Sequence, residues 1–168
     1  MMLEIALDAD EEWDSSRSWE QLARKAAEAA IAESAFPRLA TFERPVEISV
    51  LLTGDERVRE LNAEYRRKDK PTNVLSFPMA DPDDLRSATI AGPELLLGDI
   101  ILARGICEAE AADKGLSLEE HAAHLIVHGT LHLLGHDHHD DTEATDMESR
   151  EVRALDRIGI ANPYEVTA

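Results

Sequence analysis

The chain has 168 residues, 43% of them hydrophobic and only 4% aromatic, with 17 basic and 35 acidic side chains for a net charge of −18. That length suits one domain over 1–168 with an aliphatic core, and the charge argues against a broadly basic nucleic-acid-binding surface. The single cysteine, Cys107, excludes an internal disulfide and a cysteine-built metal site, and no apolar run approaches the roughly 18 residues of a membrane span. The acidic start, MMLEIALDADEEW, lacks the basic and apolar pattern of a secretory signal, so a cytoplasmic location is expected.

Leu3 to Leu7 alternates and predicts a first strand. Ser18 and Gln21 have the spacing of a capping box, opening a helix over 19–35 with Trp19, Leu22, Ala26, Ala30 and Ile31 near helical spacing. Val46, Ile48, Val50 and Leu52 alternate with Glu47, Ser49 and Leu51, as in a strand with one buried face. Thr53-Gly54-Asp55 turns into a short helix with Val58, Leu61 and Tyr65 on one side, and Val74 to Phe77 predicts a third strand stopped by Pro78. Residues 79–93 read as a polar loop with two prolines. Leu95 to Leu102 predicts a fourth strand broken at Gly98-Asp99, followed by a helix to Gly115 in which Cys107 is a small buried residue. Ser117 and Glu120 form a second capping box, whose helix runs to a C-cap at Gly135. Thr142 starts a last helix with Met147, Leu155 and Ile158 as core candidates. Strands separated by helices predict an α/β (α+β) layer, a four-stranded, mostly mixed sheet packed with about five helices.

All seven histidines fall between residues 121 and 139. His128 and His132 are four residues apart, so a helix places both rings on one face, close enough to share a metal. Gly135 lets the chain leave the helix and fold back, and His138 can then supply a third ligand. Three neutral imidazoles suit one zinc ion and leave a fourth position for water, as catalytic sites do. Leu131, Leu133 and Leu134 would anchor this helix in the core. His124 is a candidate for packing or for support of a ligand, His136 should point away, His139 is a substitute for His138, and His121 should be solvated. Asp137 or Asp140 could orient a ligand ring. The residue after His128 is Gly129, where a zinc peptidase of the H-E-x-x-H type carries its glutamate base; the ligand spacing is present without that base.

The run His128-Gly129-Thr130-Leu131-His132-Leu133-Leu134-Gly135-His136-Asp137-His138 resembles the H-x3-H-x5-H signature of the bacterial YbeY family. Leu61 to Pro78 resembles that family's L-N-x-x-Y-R…P-T-[ND]-V-L-S-F-P stretch, and Leu97-Gly98-Asp99-Ile100 its L-G-D-I strand. His136 stands where the family often has Tyr. The resemblance implies a zinc-dependent, single-strand-specific endoribonuclease acting in small-subunit ribosomal RNA maturation and ribosome quality control. It implies zinc on His128, His132 and His138, catalysis by Arg66, His128 and His132, and substrate binding by Arg66, Lys68, Lys70 and Asn73. The implied partners are single-stranded or ribosomal RNA, the small ribosomal subunit, and a ribosomal protein or assembly GTPase; neither DNA nor a membrane is expected.

Residues 57–70 carry six basic and three acidic side chains, a local net of +3. A small phosphate-binding cleft within an acidic chain reconciles that patch with the overall charge, and an arginine there can hold a phosphate through two N–H groups. The loop 79–93 could grip unpaired RNA. Two alternatives keep the metal: a zinc peptidase or amidase, and a non-catalytic ribosome-assembly factor with structural zinc.

Overall fold

The computed structural model describes residues 3–14, 18–41, 45–87 and 94–164. In chain order the elements are β1 (Leu3–Ala9), α1 (Trp19–Glu33), a 3-10 turn (Pro37–Thr41), β2 (Val46–Thr53), α2 (Asp55–Arg66), β3 (Val74–Pro78), α3 (Pro82–Ser87), β4 (Leu95–Ala103), α4 (Arg104–Lys114), α5 (Leu118–Leu133) and α6 (Asp141–Arg157). The sheet order is β1-β2-β4-β3, with β1, β2 and β4 parallel and β3 antiparallel to β4. This is the mixed four-stranded sheet expected from the sequence.

The strand β4, LLLGDIILA, is apolar on both faces because it lies between two neighbours and under helices on either side. On one face Val46, Ile48, Val50 and Leu52 meet α1, α5 and α6 in the main core. The buried side of α1 is almost all alanine (Ala23, Ala26, Ala27, Ala29, Ala30), which lets it lie close against α5 and α6. On the other face Val58 and Leu61 of α2 cover Leu75, Ile101 and Ala103. The helix α5 is apolar nearly all round, with Ala122, Ala123, Leu125, Ile126, Val127, Leu131 and Leu133 buried, as a central core helix must be. Cys107 is buried as expected, and burial pushes its thiol up to about 12.

Three local expectations change. Ser18 is the N-cap of α1 but makes no side-chain capping bond. The helix start is held instead by an edge-to-face pair, Trp13 and Trp19, whose indoles donate to the carbonyls of Thr53 (3.0 Å) and Asp14 (2.9 Å). Within 79–93, α3 forms because Asp81 and Asp84 cap each other: the Asp81 carboxylate accepts from Asp84 N (2.8 Å) and the Asp84 carboxylate from Asp81 N (3.3 Å). Leu85 of α3 is buried; residues 88–93 of that segment lie outside the described residues. Finally, β4 continues through Gly98, at φ +143° opposite Pro78 of β3, and in place of a break there is a one-residue shift in its register with β2, where Glu47 pairs with Leu96 and Ile48 with Gly98.

Candidate functional site

The site is built on the C-terminal half of α5. Its start is fixed by the expected capping box: Ser117 Oγ accepts from Glu120 N (3.1 Å) and Glu120 Oε1 from Ser117 N (3.0 Å). Its end is a Schellman turn. Gly135, at φ +91°, donates from its N–H to the His132 carbonyl (3.0 Å), and His136 N donates to the Leu131 carbonyl (3.0 Å). Glycine suits this left-handed position, and the reversal brings His138 back beside the helix. Asp140 then accepts from Glu143 N (2.7 Å) and starts α6.

His128 and His132 turn their Nε2 atoms toward each other at 3.0 Å. The His138 ring centroid lies 5.7 Å from that of His128 and 5.2 Å from that of His132. One ring nitrogen from each of the three lies within 4.8 Å of the others, so together they could hold a metal ion. Burial, reinforced by the neighbouring His128 ring, lowers the His132 pKa to about 4. Its imidazole is therefore neutral at pH 7, with a lone pair to give.

These histidines line a cleft of about 650 Å³ with Arg66, Lys68, Thr72, Asn73, Ser76 and Pro78 on the facing wall. Arg66 ends α2; its Nη2 donates to the Ser76 carbonyl (2.6 Å) and its guanidinium lies 5.4 Å from the centre of the Phe77 ring. Arg67 closes the helix in the left-handed region at φ +58°. The basic run is partly neutralised, since Arg59 pairs with Glu56 and Asp69, and Arg57 with Glu60. Lys68 reaches the cleft lining, whereas Lys70 does not, its carbonyl accepting instead from buried Asn62 (2.8 Å). Asn73 borders the cleft with its side chain engaged: Oδ1 accepts from Val74 N (2.7 Å) and Nδ2 donates to Glu110 (3.0 Å).

Of the remaining histidines, His136 and His139 also border the cleft. His136 turns to α1 and α6, accepting from Ala35 N at 3.1 Å, and His139 is exposed beside Asp137. His121 is buried rather than solvated, donating from Nε2 to Glu110 (2.8 Å). It was misplaced because Glu110 comes from α4, a separate helix. His124 is buried and donates from Nε2 to Glu151 (2.6 Å). A carboxylate does face a candidate ligand ring, that of Glu151 in α6, whose Oε1 lies 3.4 Å from His128 Nδ1; Asp140 is spent on a helix cap and Asp137 accepts from His138 N (2.8 Å). Sequence inspection passed over Glu151 as one acid among many. Its signal was position: it shares the buried stripe of α6 with Met147, Ala154 and Leu155.

Burial acts to raise the Glu151 pKa, but the hydrogen bond from His124 and the His128 ring nearby outweigh it and bring the value down to about 2. Glu110 is likewise held low, burial being overcome by hydrogen bonds from His121 and Asn73. Burial depresses His121 despite Glu110 beside it, and its Nδ1 has no hydrogen-bond partner among the described residues. In every case the unfolded chain takes up its proton at a higher pH than the folded one. The resulting stability is present above the unfolded values, 6.5 for histidine and 4.5 for glutamate, and is lost as pH falls. The Tm of the metal-free protein should therefore hold steady above about pH 7.5 and fall below the unfolded histidine value. A Tm that rises on acidification from pH 7 to 5 would contradict this.

Gly129 faces the sheet. A Cβ there would sit 3.0 Å from Ile100 Cγ2, so a glutamate would be driven into β4 and not toward the histidines.

Comparison with known proteins places these features in context. The family model described as Endoribonuclease YbeY matches residues 6–159. The chain is 49% identical over 167 residues to "Endoribonuclease YbeY" of Rhizorhabdus wittichii, covering 99% of each. It is 50% identical over 164 residues to the protein of that name from Sphingopyxis alaskensis, covering 97% of this chain and 98% of the relative. The solution structure of TM1509 from Thermotoga maritima superposes with a TM-score of 0.53 at 22% identity, covering 92% of this chain and 91% of that one, a likeness of fold.

Proposed function

Because the chain belongs to the YbeY endoribonuclease family, we propose that its histidine cleft binds one zinc ion through His128, His132 and His138 and hydrolyses phosphodiester bonds of single-stranded RNA. The observation that carries this is the meeting, in one cleft, of three convergent imidazoles and the guanidinium of Arg66. The donor set fits zinc, being three ring nitrogens that include a neutral His132 and that open on one side to the cleft. Bound there, zinc supplies Lewis acidity and a water acidic enough to attack at neutral pH.

The chain's own groups do the rest. The Ser76 carbonyl and the Phe77 ring hold the Arg66 guanidinium in a set orientation, so its free edge can pair with two phosphate oxygens and offset the charge that builds on them. Lys68 extends the positive wall along the backbone path. Asn73, tied to Glu110 and Val74, shapes the loop that carries this wall, and Lys70 adds charge just outside it. Few aromatic side chains are present for base stacking, so cleavage should depend on single-strandedness more than on sequence.

In the cell the substrate on this proposal is ribosomal RNA in the cytoplasm, during maturation and quality control of the small subunit, alongside a ribosomal protein or assembly GTPase. Among the described residues no helix is long and apolar enough to cross a membrane. The packing of Gly129 against Ile100 supports a nuclease over a peptidase, because a side chain at 129 would start toward the sheet and not toward the histidines.

Arg66→Ala should lower kcat/KM on a labelled single-stranded RNA by about 100- to 1000-fold, the scale of losing one charge-stabilising donor, with zinc content unchanged. Arg66→Lys should recover part of that loss, since it restores charge without the two-pronged contact. Wild-type cleavage by Arg66→Ala would remove Arg66 from the chemistry. Products free of 2′,3′-cyclic phosphate would identify water as the nucleophile, and a cyclic phosphate would instead implicate the RNA's own 2′-hydroxyl.

A further inference from the structure

We propose that Glu151 is the positioning residue of the metal centre: its buried carboxylate fixes the His128 ring so that Nε2 faces the metal, and Tyr164 and His124 hold that carboxylate in place. The inference rests on the metal-binding proposal above and adds a residue to it.

The side chain of Glu151 is 1% exposed. Its Oε1 accepts from His124 Nε2 (2.6 Å) and from the Tyr164 hydroxyl (2.9 Å), and Oε2 lies 3.1 Å from the same hydroxyl. His128 Nδ1 lies 3.4 Å from Oε1, while His128 Nε2 points the other way, 3.0 Å from His132 Nε2. The two nitrogens of one ring thus face a carboxylate and the ligand cluster. A carboxylate at Nδ1 selects the Nδ1–H tautomer, leaves the Nε2 lone pair for the metal and makes that nitrogen a stronger donor.

Charge supports the same assignment. A buried carboxylate is strongly destabilising unless its charge is compensated. Among the described residues, the groups around the Glu151 carboxylate are two imidazoles and a phenol, with no lysine or arginine paired to it. A divalent cation one ring away, on the far side of His128, supplies the missing positive charge. The coupling is reciprocal. Whatever holds Glu151 in place strengthens metal binding, and metal binding strengthens the contact between α6 and Tyr164. Tyr164 lies beyond α6, near the end of the chain, so docking of that segment and occupation of the site become linked.

The test is zinc affinity, measured by competition with a chromophoric chelator, for wild type, Glu151→Gln and Tyr164→Phe, each with its metal-free Tm recorded. Glu151→Gln should bind zinc about 10- to 100-fold more weakly, the usual range for losing a partner that orients a ligand. Tyr164→Phe should show a smaller loss of the same sign. A folded Glu151→Gln protein with wild-type affinity would overturn the proposal and leave Glu151 a packing residue. If the wild type itself binds no zinc, the metal-binding proposal falls first. Should the Glu151 variant not fold, long-range 1H–15N spectra of the zinc-loaded wild type decide. His128 should carry its proton on Nδ1 and its metal on Nε2; the reverse arrangement would overturn the proposal.

Discussion

His132→Ala should give a folded protein that no longer retains zinc and no longer cuts RNA. On the proposed site His132 supplies one of three ligand nitrogens: its Nε2 lies 3.0 Å from His128 Nε2, and its ring is 5.2 Å centre to centre from that of His138. Two remaining imidazoles make a poor zinc site, so affinity should fall by more than the roughly 100-fold expected for an orienting partner. The fold should survive. Burial already disfavours the charged form of this ring, whose pKa is lowered to about 4, and alanine is the better helix former. The metal-free Tm should therefore shift by only a few degrees. Zinc should raise the Tm of the wild type, since a ligand bound only to the folded state stabilises it by mass action, and should leave that of His132→Ala unchanged. An equal zinc-induced rise in both proteins would exclude His132 as a ligand.

Gly98→Ala should be the most damaging single substitution in the scaffold. Gly98 holds φ +143°, and an added Cβ would lie 2.2 Å from the Phe77 carbonyl oxygen and 2.8 Å from Leu133 Cδ2. The first of these atoms is backbone of the neighbouring strand, so the sheet itself must move. Loss of at least about 3 kcal/mol is expected, lowering the Tm by roughly 6–12 °C for a chain of this size. Gly115→Ala is the control. It also has positive φ, +70°, but an added Cβ meets nothing within 4 Å, so only the left-handed backbone cost of about 1 kcal/mol applies. Thermal unfolding of the two metal-free variants separates close approach from backbone conformation; equal losses would remove the sheet contact as the cause. Because Leu133 adjoins His132, Gly98→Ala should also weaken zinc binding.

The contrast between these positions shows what local sequence carries. His128 and His132 were legible because four residues make about one helical turn, and Gly135 because a helix that must reverse leaves a left-handed residue at its end. The capping box at Ser117 and Glu120 and the alternation in β2 are equally local. The roles of Glu151 and His121 escaped because their partners are distant in sequence: His124 and Tyr164 for Glu151, Glu110 for His121. Their local polarity reads as surface, and only the packing of α4 and α6 against α5 buries them. The continuity of β4 across its register shift was hidden for a similar reason. Glycine and aspartate read as a turn until β3 pairs across them. The reciprocal caps Asp81 and Asp84 were local, and a search for acidic side chains spaced like a capping box would have found α3.

The central proposal is that the three histidines make RNA cleavage depend on a bound metal. It is tested most directly by following cleavage of a labelled single-stranded RNA by one preparation before chelation, after chelation and after zinc is returned, beside His128→Ala purified identically. Cleavage should be lost on chelation, return with zinc and be absent from the variant throughout. Cleavage that persists after the metal is removed, or that the variant shares, would contradict it.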